Sequence, residues 1–341
     1  MSEFPPVSAK QASLPSASPS GARNDVFAAL DLGTNNCRLL VARGSDPHGF
    51  RVIDAFSRIV RLGEGLAASG VLSEPAMTRT IAALKICADK VVQRRVTTAR
   101  YVATEACRRA TNCAAFIERI RSETGIPIEI ISSEEEVRLV VAGCAALLDR
   151  AVPRAIVIDI GGGSTELAWL DVPAAGPPRI LGAASVPHGV VTMTDRYGGR
   201  EVSAETYDAM VAETAAAIRA FDAAYGIRSA VAQGGVQMVG SSGTVTTLGG
   251  VHLNLARYNR AQVDGLTLDF DEIARLSGML ARMPLAARAA NGCIGPERAD
   301  LVISGCAILE AVCRAWPVGR LRVADRGIRE GVLADLIDAA H

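Results

Sequence analysis

The sequence predicts an α/β protein built from two related units with a cleft between them. Three observations lead there. Short apolar runs alternate with stretches of helical periodicity along most of the chain. A strand–turn–strand pattern near the start returns past the middle with its Asp, Gly and apolar positions kept. The chain has 341 residues, 49% of them hydrophobic, which suits one large or two ordinary domains.

Residues 1–24 are rich in Ser, Ala and Pro and lack the basic start and apolar stretch of a secretory signal, so they are expected to form a disordered tail. From Asp25 the elements follow in order. Val26 to Asp31 reads as a buried strand, Gly33 to Asn36 as a turn, Cys37 to Arg43 as a second strand and Arg51 to Arg61 as a third. A helix over Glu74 to Arg95 carries Met77, Ile81, Leu84 and Ala88 on one face. Tyr101 to Thr104 and Ile128 to Ile131 read as strands, and Ala114 to Thr124 and Glu134 to Leu148 as helices.

Then the opening returns. Ala155 to Asp159 is a strand, Gly161 to Ser164 a turn and Thr165 to Trp169 a strand. Asp31 falls on Asp159, Gly33 on Gly161, Arg38 on Glu166 and Leu39 on Leu167, each pair 128 positions apart. The units are expected over 25–150 and 151–341, with the boundary near Asp149 to Arg154. The second continues with a helix over Ala204 to Tyr225, a strand at Gln237 to Val239 and a small-residue loop at Gly240 to Thr244. Helices over Asp271 to Arg282 and Pro296 to Trp316 follow, Pro296 suiting a first helical turn. A strand at Leu321 to Val323 and a helix after Gly327 end the chain.

Composition narrows the function. Thirty-six basic residues offset thirty-six acidic ones and are interspersed, so no electrostatic footprint for nucleic acid is expected. A polyanion would have to be met by a local basic cluster. The eight cysteines form no C-x-x-C pair and have no histidine at zinc spacing, which fits reduced thiols in a cytoplasmic protein. No run of about 18 apolar residues exists, so no membrane span is expected.

The string Asp159-Ile160-Gly161-Gly162-Gly163-Ser164-Thr165-Glu166 carries the strongest local chemistry. Consecutive glycines let a backbone turn sharply and approach a ligand, and their N–H groups suit phosphate oxygens. Asp159 and Glu166 flank the turn, where a hard divalent cation would suit two carboxylates. A plain hairpin with a solvated Asp and Glu is the competing reading. Gly33, Thr34, Asn35 and Asn36 form the first-unit counterpart, an ordinary turn if taken alone. Gly240, Ser241, Ser242, Gly243 and Thr244 are either a third anion loop or a simple helix start. In Ser132-Ser133-Glu134-Glu135-Glu136, Ser133 and Glu136 have capping-box spacing, which competes with Glu136 as a general base. Arg108, Arg109 and Arg298 suit bidentate phosphate contacts, or else surface ion pairs. His188 is expected to be structural.

Taken together, FAALDLGTNNCRLLVAR, ATEACRRATN, SSEEEVRLV, VIDIGGGSTEL, GSSGTVTTL, GPERADLV and ADRGIREGVL, in this order, resemble the exopolyphosphatase and guanosine pentaphosphate phosphohydrolase (Ppx/GppA) family. The resemblance implies two ribonuclease-H-like domains of the actin-like superfamily around an interdomain cleft. It implies Glu136 as the catalytic glutamate and Arg108 as an arginine facing the phosphate chain. Asp159 and Glu166 would hold magnesium, with manganese as the alternative. The loops at Gly33–Asn36 and Gly161–Ser164 would bind phosphate, and Gly240–Thr244 would lie near a nucleotide, with Arg298 a further carry-over. The chain ends soon after the last motif, so the helical HD-type domain of longer members is expected to be absent. Val137 stands where alanine is common. The expected activity is exopolyphosphatase, with guanosine pentaphosphate (pppGpp) phosphohydrolase, a sugar or acid kinase and a non-catalytic sensor as competitors. A homodimer is the expected assembly.

Overall fold

The computed structural model describes residues 25–45 and 49–340, so the expected tail over 1–24 lies outside the described residues. The first unit runs β1 (Val26–Leu32), β2 (Asn36–Ser45), β3 (Gly49–Ile59), α1 (Leu66–Ser69), α2 (Glu74–Gln93), β4 (Thr98–Ala103), α3 (Glu105–Arg109), α4 (Cys113–Thr124), β5 (Glu129–Ile130) and α5 (Ser133–Cys144). The second runs β6 (Arg154–Ile160), β7 (Thr165–Asp171), β8 (Arg179–Val186), α6 (Val190–Tyr197), α7 (Ala204–Tyr225), α8 (Ile227–Gln233), β9 (Val236–Ser241) and α9 (Gly243–His252). It closes with α10 (Arg260–Val263), β10 (Thr267–Asp269), α11 (Phe270–Arg282), α12 (Leu285–Ala290), α13 (Val302–Ala315), β11 (Arg320–Ala324) and α14 (Ile328–Asp338).

Two sheets result, ordered β3-β2-β1-β4-β5 and β10-β11-β9-β6-β7-β8. They share one plan. An antiparallel hairpin (β1–β2, β6–β7) is extended by a third antiparallel strand, and the first hairpin strand pairs in parallel with β4 or β9. The shared plan explains the recurrence at 128 residues.

Strand alternation sorts the side chains into three cores. Ala28, Leu30 and Leu32 of β1 face α2 and α4, joining Leu84, Phe116 and Ile120. Ile156, Ile158 and Ile160 of β6 face α7 and α13, joining Met210, Ile218 and Ile308. The opposite faces, Phe27 and Ala29 in one sheet and Ala155 and Val157 in the other, join a central core with Val137, Val140, Val141, Val332 and Leu333. That core contains α5 and α14. Each crosses to the other unit: α5 packs on β7, β8 and β9, while α14 packs on β1 to β4. The two helices meet at glycines. A Cβ on Gly143 would stand 2.2 Å from the Gly327 carbonyl oxygen, and one on Gly331 2.1 Å from that of Leu139.

Several local expectations are corrected. Helix α13 starts at Val302, not Pro296, because Gly295 to Leu301 form successive turns, with Arg298 N–H donating to Gly295 O and Leu301 N–H to Arg298 O. Strand β8 was not anticipated: Arg-Ile-Leu-Gly-Ala-Ala-Ser-Val lacks clean alternation, and its assignment comes from pairing with β7. Helix α5 ends at Cys144 and is followed by a single 3-10 turn. Among the described residues no helix is long and apolar enough to cross a membrane.

Alanine in place of a mid-helix glycine ordinarily stabilises by roughly 0.5–1 kcal/mol. At the α5–α14 crossing the sign should reverse, because the added methyl meets backbone that cannot yield. Gly331→Ala is expected to cost about 1–3 kcal/mol, read as a lower midpoint in urea or thermal unfolding. An unchanged midpoint would show that the crossing tolerates wider spacing.

Candidate active site

The two hairpins close on the same turn. Gly33 N–H donates to Asn36 O and Gly161 N–H to Ser164 O, each at 2.9 Å. The loops then touch each other across the cleft. A Cβ on Gly162 would lie 3.0 Å from Asn35 N and Thr34 Cβ, and one on Gly163 2.6 Å from Thr34 Oγ1. Only glycine allows this approach. The amides of Thr34, Asn35, Gly162, Gly163 and Ser164 donate to no acceptor among the described residues. The buried Oδ1 atoms of Asn35 and Asn36 are likewise unpartnered. Unpaired polar groups at this depth are costly unless a ligand meets them.

Alternation along the strands also brings the charged residues together. Asp31 follows Phe27 and Ala29 on the central face, and Asp159 follows Ala155 and Val157. Arg38 stands opposite Asp31, and Glu166 opposite Asp159, in the same register. The first hairpin thus carries its own countercharge. The second sets two carboxylates side by side, which is destabilising without a cation. Glu166 accepts from Ser164 Oγ at 2.6 Å and Ser185 Oγ at 2.8 Å on Oε1, while its buried Oε2 has no partner. Burial, then the Asp159 carboxylate, pushes Glu166 up to about 7. Burial, then Asp31, pushes Asp159 up to about 6. Asp31 is itself raised by burial, against the pull of Arg38 and Arg329. Among the described residues no three His, Cys, Asp or Glu side chains form a closed metal cage. An open pair of carboxylates with an orphaned oxygen instead suits magnesium, which keeps water and substrate oxygens as its other ligands.

Glu136 sits in the first turn of α5, buried, its Oε2 2.7 Å from Arg108 Nη1. The capping-box reading fails. Ser132 is the N-cap, its Oγ accepting from Glu135 N–H at 3.2 Å, and Glu135 pairs with Arg100 and Arg138. The cap is thus one residue earlier, and Glu136 is left to the cleft. Burial and then the Glu166 charge hold Glu136 well above the usual carboxylate range, with Arg108 opposing. Arg108 lies on α3, donating to Glu105 Oε2 and to Ile131 O, so its guanidinium is fixed from three sides. Arg109 on the same helix comes no closer than 3.9 Å to Glu105.

A chamber of about 110 Å³ between the loops is lined by Asp31, Thr34, Gly162, Glu136, Asp159 and Arg298, among others. A larger one of about 840 Å³ adjoins it, sharing Asp31, Arg38, Asp159, Ser242, Gly243 and Arg298 among its lining. Arg108 and Glu166 stand behind the smaller chamber's wall, against Glu136 and Ser164. The third loop divides. Ser242, Gly243 and Thr244 line the smaller chamber and Ser241 the larger, with Ser241 Oγ donating to Arg326 O at 2.6 Å. Gly240 belongs to β9, faces Leu321 and Val245, and lines neither. Ser242 caps α9 with φ at 136°, a strained value for a non-glycine residue. His188 pairs with Glu213 at 3.1 Å and does not line either chamber.

Sequence reasoning missed three charged residues of the smaller chamber's wall: Asp31, Arg38 and Glu105. The 128-residue offset held the signal for the first two, since it aligned them with Asp159 and Glu166. Glu105 gave no such signal; it reaches the wall because Gly163 has no side chain to exclude it.

Comparison with known proteins agrees with this fold. The model of the Ppx/GppA phosphatase family matches residues 40–340. The crystal structure of the Aquifex aeolicus Ppx/GppA family member is 26% identical, with a TM-score of 0.73 over 93% of this chain and 99% of that one. An exopolyphosphatase-like protein is 27% identical, with a TM-score of 0.83 over 93% and 98%. An exopolyphosphatase from Cytophaga hutchinsonii, 22% identical, shares the fold with a TM-score of 0.81 over 92% and 98%. With the paired hairpins, the carboxylates above them and a family match over most of its length, the chain belongs to the Ppx/GppA phosphatase family.

Proposed function

We propose that the protein is an exopolyphosphatase, removing the terminal phosphoryl group of inorganic polyphosphate as orthophosphate. The observation that carries this reading is the pair of adjoining chambers with shared walls. The inner one is smaller than the usual 300–1,000 Å³ of a small-molecule pocket and the outer one is within that range. A terminal phosphoryl group fits the first, and the chain behind it fits the second. Arg38 and Arg298 on the outer wall have no carboxylate partner among the described residues, and Arg58 lies over the Phe56 ring at 5.3 Å. Arginines from both units thus face one linear polyanion.

The residues divide the work. Free amides of the two loops hold the terminal phosphoryl oxygens and prevent its rotation. Asp159 and Glu166 would hold a magnesium ion, manganese being the alternative. Bound there, it supplies charge stabilisation for the phosphoryl oxygens and the leaving phosphate. Glu136, in its ionised form, accepts a proton from the attacking water, and its burial makes it a stronger base than a solvated carboxylate. Arg108 keeps that carboxylate oriented. The leaving chain retreats along the outer arginines.

Guanosine pentaphosphate is the second reading, and Tyr258 favours it. Its ring is partly exposed on the outer chamber, with the hydroxyl donating to Asp325 Oδ2 at 2.6 Å. A base could stack there.

Two outcomes are expected. The first concerns stability. Asp159 and Glu166 bind protons more tightly in the folded, metal-free protein than in the unfolded chain, where carboxylates titrate near ~4. Their stabilising contribution is complete below that value and is lost as pH rises through about 6 and about 7. Chelated protein should therefore melt lower at pH 8 than at pH 5.5, and magnesium should raise the midpoint more at pH 8. The double variant Asp159→Asn/Glu166→Gln should lose that difference; an equal magnesium effect at both pH values counts against the cation site. The second concerns turnover. With magnesium and long-chain polyphosphate, Glu136→Gln should release orthophosphate roughly 10²–10⁴-fold more slowly, with an unchanged melting midpoint. Release from guanosine pentaphosphate in place of polyphosphate would keep the site and change the substrate. Wild-type turnover by the variant would remove Glu136 from the mechanism.

A further inference from the structure

The segment Val60–Gly65, between β3 and α1, is tied to the first loop, to α6 beneath the second loop and to the turn that carries Arg298. Val60 N–H and Arg61 N–H both donate to Asn35 O, at 2.9 and 3.0 Å, and Gly63 N–H donates to Thr34 O at 2.9 Å. The segment lies flat on the first loop, since a Cβ on Gly63 would stand 2.3 Å from Thr34 Cγ2. Gly65 N–H donates to Asp195 Oδ2 at 3.0 Å on α6. The first amides of α6, Val190 and Val191, donate in turn to Gly161 O and Gly162 O of the second loop.

The third tie is the most specific. Arg61 grips Asp300 with both arms of its guanidinium, at 2.9 and 2.8 Å, and Nη2 also donates to Glu297 O at 3.0 Å. Arg298 lies between those two residues and lines both chambers. Arg61 also adopts a left-handed backbone, φ 47°, without the freedom of glycine. Local sequence gives no reason for that conformation; the tertiary contacts do. A single partly exposed ion pair contributes little to stability. A bidentate fork, however, fixes orientation as well as distance.

We propose that Arg61 is a positioning residue. It holds the Gly295–Leu301 turn against the first phosphate loop and so sets Arg298 over the bound phosphate chain. This rests on the hydrolase reading only for its kinetic consequence. Held turn, short first loop and second loop then form one frame, and the three phosphate contacts keep their spacing when substrate enters. Arg61→Lys retains the charge but loses the fork, so it should not restore the frame.

The test combines hydrogen exchange with kinetics on the full chain, with melting midpoints confirming that each variant is folded. In ligand-free protein, Arg61→Ala and Arg61→Lys should speed amide exchange over 295–302, leaving 154–160 unchanged. In orthophosphate release from long-chain polyphosphate, Arg61→Ala should lose about 10–100-fold in kcat/KM, the scale of a small misplacement. In an Arg298→Ala background the same change should cost less than about twofold, because its effect passes through Arg298. Unchanged exchange over 295–302 overturns the proposal whatever the activity. Additive losses in the double variant overturn it too, leaving Arg61 a purely structural pair. Absence of release by the wild-type protein instead overturns the hydrolase reading, and the exchange result still decides whether Arg61 holds the turn.

Discussion

The central layer, two helices shared between two sheets, is the constraint on which the rest of this molecule depends. Helix α5 leaves the first unit to pack on the second sheet, and α14 returns from the second to pack on the first. Their crossing needs glycine at 143 and 331, where backbone meets backbone. Both helices begin beside the ends of β1 and β6. Glu136 comes from the first turn of one and Arg329 from the first turn of the other, and the positive ends of both dipoles favour an anion in the cleft. Apolar burial in this layer is thus what delivers chemistry to the site.

The same layer explains the electrostatics. Strand alternation carries an apolar stripe down each central face and ends it in charge: Asp31 and Arg38 on one hairpin, Asp159 and Glu166 on the other. Water is largely excluded there, so Asp31, Glu136, Asp159 and Glu166 are all raised, each further by a neighbouring carboxylate. The first pair is of opposite charge and the second of like charge. This asymmetry sets apart two otherwise parallel hairpins, one ending in opposite charges and the other in two carboxylates. It also means that the folded protein keeps an unfavourable charge cluster, a form of instability held in place by the surrounding cores.

Much of the site was legible because its parts are local. Glycine-rich turns, flanking carboxylates and apolar strands each occupy a few consecutive residues, and the offset between Asp31 and Asp159 showed that the pattern occurs twice. What failed was also physical. Ser132 and Ser133 are equally good caps in sequence, and only the entry angle of the chain into α5 decides between them. Gly240 resembles its small neighbours in composition, but strand pairing points it at Leu321. Pro296 looks like a helix start, whereas the turn it belongs to is held by Arg61 from 235 positions away in the chain.

By itself, the sequence determined the strand–turn–strand units, the α/β class, the two glycine turns and the carboxylates beside them, because periodicity and turn chemistry act over a few residues. Tertiary structure alone decided that α5 and α14 exchange sheets, that Glu136 meets Arg108, that Glu105 reaches past Gly163 and that Arg61 grips Asp300. Those contacts join segments far apart in the chain, and their geometry follows from how three apolar cores pack together rather than from any local preference.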